Sequence, residues 1–154
     1  MTNNTSINAA EIVQNLPKPG LFKRLLVITY DGMLLIGVIF LASLIFLLVP
    51  ASVESHNVVR ALKLIYLFAV AFLFYGWFWT HGGQTLGMKV WHLYLVDNNG
   101  KFISWSLAAK RSLFALISWL VLGMGFTWIL LNRSKTAWHD IWSKTYVVHL
   151  PPKK

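Results

Sequence analysis

Three stretches of this chain carry no charged side chain, and their lengths decide the solvent it folds in. Gly32 to Val49 is 18 residues with Ser43 as its one polar group, Leu64 to Trp79 is 16, and Ser112 to Leu131 is 20. At about 1.5 Å per helical residue, roughly 20 residues cross the hydrocarbon of a bilayer. The first run is long enough once Leu25 to Asp31 is added. The second is short, and it extends to Ala61 if Lys63 carries its ammonium out to the interface. The third is long enough as it stands.

Composition supports that reading. Of the 154 residues, 56% are hydrophobic and 12% are charged, about half the charge of an ordinary soluble domain. A small domain has much surface to cover, so a soluble bundle with a greasy core is the weaker reading. The length suits one domain. Absence of Cys removes disulfide and thiolate chemistry and leaves the redox compartment unread. Residues 1–20 are polar, have no basic and then apolar signal pattern, and end in Pro17 and Pro19. They are expected to be a flexible or interfacial leader.

Between the second and third runs the pattern changes. A glycine-rich turn, His81 to Lys89, precedes Val90 to Val96, an aromatic and aliphatic piece that reads as a strand. Asp97-Asn-Asn-Gly100 predicts a type I′ hairpin turn, because Asn-Gly tolerates positive φ. Lys101 to Ser104 is then the return strand. Ser104 or Ser106 is placed to cap the next helix, whose early turns hold Lys110 and Arg111. Gly123 and Gly125 interrupt the third apolar run, and Thr145 to Leu150 is a last β-like piece before Pro151 and Pro152.

Lys and Arg set orientation. With three full crossings each side of the membrane carries seven of them. If the third run enters and returns at Gly123 and Gly125, the sides carry twelve and two. Pairing of Tyr146 to Leu150 with the hairpin also requires both on one side. A re-entrant segment is acceptable only where protein covers the broken backbone; the alternative is one crossing with two tolerated glycines.

Three blocks resemble the RDD family of membrane proteins, named for an arginine and two aspartates. The first, "GLFKRLLVITYDGMLL", contains Arg24 and Asp31. The second is "GGQTLGMKVWHLYLVDNNGKFISWSLAAKRSL". The third, "TAWHDIWSKTYVV", contains Asp140, with Trp138-His139 before it where a Leu-His pair is commoner. The resemblance runs from about Gly20 to Val148. It implies a multi-pass protein of the bacterial cytoplasmic (inner) membrane, and it admits cation/proton antiport, an activity attributed to some members.

The expected architecture is an all-α membrane protein with two full transmembrane helices and a third apolar segment, re-entrant or spanning. A small cytoplasmic β-hairpin, joined by a C-terminal strand, completes it. The leader (1–20), an RDD-like membrane domain (21–150) and a basic tail (151–154) divide the chain.

Arg24 and Asp31, seven residues apart, turn about 700° around a helix and so share a face, about 10 Å apart along the axis. That separation disfavours a direct pair. A carboxylate at that depth costs up to about 3 kcal/mol on insertion scales, so Asp31 should face protein or water. Arg24, Asp31, Arg111 and Asp140 are the candidate residues, as a buried ion-pair network or as an ion and proton site. Lys23, Lys110, Trp105 and Trp138 are candidates for lipid headgroup contact, since bases and Trp gather at the ends of apolar runs.

The leading expectation is transport of a monovalent cation or small solute, coupled to protons through Asp31. The alternative is a non-transporting accessory or regulatory subunit of another membrane complex. His139-Asp140 lacks the further ligands of a metal phosphohydrolase, and no nucleophile with an adjacent base, phosphate loop or zinc spacing occurs. No enzyme activity, cofactor or metal is therefore expected. The net charge of +9 points to anionic lipids rather than nucleic acid, and the partners expected are the bilayer and either further copies of the chain or another membrane protein.

Overall fold

A computed structural model describes residues 11–13, 15–50, 56–120 and 138–150. The first long helix, α1 (Leu21–Ser43), continues as a 3-10 turn, Leu44–Leu48, and the second, α2 (Asn57–His81), runs 25 residues. Both are long and apolar enough to cross a membrane, and few of their residues are fully buried by the rest of the chain. The exposed side chains are the large apolar ones, Ile36, Phe40, Leu47 and Phe68 among them. In water such a surface would be unstable.

Beyond α2 the chain is compact. A short helix, α3 (Leu86–Val90), leads into β1 (Leu93–Asp97); α4 (Trp105–Leu120), α5 (Trp138–Trp142) and β2 (Thr145–His149) follow. β1 and β2 pair antiparallel, from Leu93 opposite His149 to Asp97 opposite Thr145. The C-terminal β-like piece thus forms a strand and returns to the segment that follows α2.

The hairpin differs from expectation. Val90 closes a helix instead of opening a strand, because the Thr85 hydroxyl accepts from the Met88 amide at 3.2 Å and caps α3. The chain reverses at His92, with φ +52°, and β1 begins only at Leu93. The return strand shrinks to one bridge, Val96 to Phe102. The turn is not type I′. Neither Asn98 nor Asn99 has positive φ, the Gly100 amide donates to the Asp97 carbonyl at 3.1 Å, and Gly100 alone takes φ +76°. This is a type I turn followed by a left-handed glycine. The Asp97 carboxylate selects it by accepting from the Asn99 and Lys101 amides, both at 2.8 Å.

The core lies where the sheet meets the ends of the helices. Leu93, Leu95 and Val147 face Val27 of α1, Met88 of α3, and Ile103 and Ala108 beside and within α4. On the other side Val96 and Val148 pack against Val13, and the His149 amide donates to the Pro17 carbonyl at 2.8 Å. The described part of the leader is therefore docked on the sheet. Trp105 fastens α4 to α2: a Cβ on Gly76 would lie 2.6 Å from its ring. Gly123, Gly125 and the choice between a spanning and a re-entrant third run lie outside the described residues.

Candidate functional site

Only three residues of α1 are buried, Arg24, Val27 and Asp31. Their spacing of three and four puts them on one stripe, so the inward face of this apolar helix carries two of its three charged residues, Lys23 being the third. The stripe meets two separate polar clusters.

The first cluster is built on Asp140, at 1% exposure. Arg24 Nη1 donates to its Oδ2 at 2.5 Å, and Arg111 Nη1 donates to its Oδ1 at 2.6 Å. Arg111 Nη1 also reaches the Thr145 hydroxyl at 2.7 Å, which lies 2.8 Å from the Ser143 hydroxyl. One carboxylate thereby ties α1, α4 and the start of β2 together. Lys18 lies close by, its ammonium 5.4 Å from the centre of the Tyr146 ring. Burial holds the Lys18 amine below the usual lysine range, with Asp140 opposing that shift and Arg24 adding to it.

The second cluster is built on Asp31, at 2% exposure. The Thr85 hydroxyl donates to Oδ2, and the Gly87 amide donates to Oδ1 at 2.8 Å. Among the described residues no cation lies within ion-pair distance of Asp31. Gly87 is required here by space: a Cβ would meet Asp31 Oδ1 at 2.9 Å and the Val27 carbonyl at 3.0 Å. The four candidate residues, expected as one network, therefore divide. Arg24 and Arg111 share Asp140, and among the described residues Asp31 is held by neutral donors alone.

Thr85 and Gly87 escaped the sequence reading because "GGQTLG" reads as a turn. A finer signal was present: a Thr three residues before the Met88 amide is a helix cap, and a Gly inside that helix marks a close backbone approach. Of the residues expected at headgroups, Lys110 is exposed, Lys23 is half-buried, and Trp105 is 40% exposed while packing on Gly76 and edge-on to Phe72 at 6.0 Å. The Trp138 side chain lies outside the described residues.

Both clusters border a cavity of about 610 Å³ between α1, α2 and α4, floored by α3 and the sheet. Apart from Arg24, Asp31, Tyr75, Thr85, Arg111 and Ser112, its wall is apolar or aromatic.

Two long, uncovered apolar helices joined at one end by a two-stranded sheet and a buried Arg–Asp–Arg triad define a small helical protein of membrane type. The chain belongs to the RDD family, whose pattern it matches over residues 18–144. Comparison with curated proteins and with solved structures gave no match.

Proposed function

We propose that the protein is a multi-pass membrane protein in which Asp31 exchanges a proton for a monovalent cation. The observation that carries this reading is the contrast between its two buried acids: Asp140 is neutralised by two guanidinium groups, and Asp31 by none among the described residues. An ionised carboxylate inside a span costs about 2.5–3.5 kcal/mol on insertion scales. A bound proton or a bound cation each removes that cost, so the loaded site is neutral in both states. Thr85 supplies a hydroxyl oxygen that can turn its lone pairs to a cation when its proton no longer faces Asp31. The cavity gives the carboxylate a route outward.

The topology proposed keeps both termini, the sheet and its turn in the cytoplasm. The pairing of β1 with β2 supports it, since the chain beyond α4 comes back to the side it left, and the count of twelve basic residues against two agrees. Reporters fused after Lys154 and within Asp97–Gly100 should report the same side, and opposite sides would overturn the topology.

Transport is tested in liposomes carrying a pH dye. Adding Na⁺, K⁺ or Li⁺ should dissipate an imposed proton gradient, and Asp31→Asn should abolish the response. Failure of every monovalent cation, or an unchanged response in Asp31→Asn, removes the proposal. Recovery of a stoichiometric foreign subunit after crosslinking would favour an accessory role instead.

A further inference from the structure

Arg111 is 7% exposed, yet it does not spend its hydrogen-bonding capacity. Both of its hydrogen bonds to described residues leave from Nη1. Among the described residues Nε and Nη2 make none, and the side chain borders the cavity. Trp79 holds the guanidinium in place, with Cζ 5.3 Å from the ring centroid. The Nε–Nη2 edge is the one that binds carboxylates and phosphates with two parallel bonds. A buried guanidinium with that edge unspent is a prepared anion site.

The rest of the cavity says what the anion is attached to. Along α2 it runs from Trp79 to Phe68, eleven residues, or about 16 Å. That is about half the hydrocarbon thickness, the depth of one leaflet. Beyond the charges its wall is formed by Phe68, Phe72, Leu113 and Leu116, and Phe68 and Leu113 are more than half exposed on the outside of the helices. The cavity therefore adjoins lipid along its length. Its volume, about 610 Å³, lies in the range of roughly 300–1,000 Å³ that holds one small ligand.

Charge selects the class. Among the described residues Arg24 and Arg111 share one carboxylate, so the triad carries an excess positive charge. From this juxtaposition we infer that the cavity binds one acyl chain of an anionic phospholipid, its phosphate on the Nε–Nη2 edge of Arg111. The site rests on the membrane placement proposed above and not on transport.

The test is native mass spectrometry of the intact protein released from nanodiscs of equal phosphatidylglycerol and phosphatidylcholine. One phosphatidylglycerol per chain should be retained. Arg111→Lys keeps the charge and loses the fork, and should weaken retention about tenfold, the loss of one charge-assisted bond. Ala115→Phe fills the chain path from the cavity wall one helical turn beyond Arg111 and leaves the triad residues themselves in place, and should abolish retention while the thermal midpoint holds. It decides the matter if Arg111→Lys does not fold. Equal retention of phosphatidylcholine, an adduct of fatty-acid mass, or undiminished retention in folded Ala115→Phe would overturn the site. The reporter fusions test membrane placement separately, so the two failures are distinguishable.

Discussion

Asp31 and Asp140 are equally buried and differ in everything that surrounds them. Asp140 sits between two guanidinium groups and joins three elements of the fold. Asp31 has one hydroxyl and one amide, from a single short segment. Burial alone therefore does not assign a role to an acid. A carboxylate saturated by fixed cations is mechanical, and one held by neutral donors keeps the capacity to change what it binds.

Removing Asp140 should do the most damage. Asp140→Ala leaves two buried guanidinium groups without their shared anion, a loss on the order of 3–5 kcal/mol. Thermal unfolding in detergent should show a large drop in midpoint; a drop no greater than that of Asp31→Asn would erase the distinction.

Next comes Gly87→Ala, where a Cβ 2.9 Å from Asp31 Oδ1 and 3.0 Å from the Val27 carbonyl forces α3 away from α1. Overpacking of this kind costs about 1–3 kcal/mol. The same melts check it, and an unchanged midpoint would show that α3 is not seated against the acid.

Asp31→Asn should cost less, on the order of 1 kcal/mol. The amide oxygen still accepts from Gly87, and the new NH₂ can donate to the Thr85 hydroxyl, which exchanges one hydrogen bond for another. The comparison predicts that this variant folds and loses cation-dependent proton movement, whereas Asp140→Ala fails by unfolding.

Lys18→Met should have the smallest effect and sharpens the description of the triad's edge. With its amine held below the ordinary lysine range by burial, the folded state binds fewer protons than the unfolded one just below that range. Stability should rise with pH there, and fall as pH drops through the lowered value. Midpoints across the alkaline limb should show this gain in the parent protein and lose it in Lys18→Met.

Some of this was legible in the sequence. The seven-residue spacing of Arg24 and Asp31 put both on one face, because helix periodicity is local. The Val- and Tyr-rich run at the C-terminal end announced a β-like piece, and the structure pairs it with Leu93 to Asp97. The partner of Arg24 was not legible in the same way: it lies 116 positions away, and nothing local ties the two. Nor was Gly87, whose meaning depends on a helix packed against it. The strand expected from Val90 failed because a capped turn of helix competed with β propensity and won. The return strand from Lys101 stops at one bridge because the edge of β1 away from β2 is met next by Gly83, whose carbonyl accepts from the Leu95 amide at 2.7 Å.

The triad also has a temporal side. Arg24 leaves the ribosome 116 residues ahead of the carboxylate that neutralises it. At about 5–20 residues per second that is on the order of 6–20 s. For that interval a nascent chain with two apolar helices holds Arg24 without this carboxylate, whereas Arg111 precedes it by only 29 residues, so the triad closes only as synthesis nears Asp140.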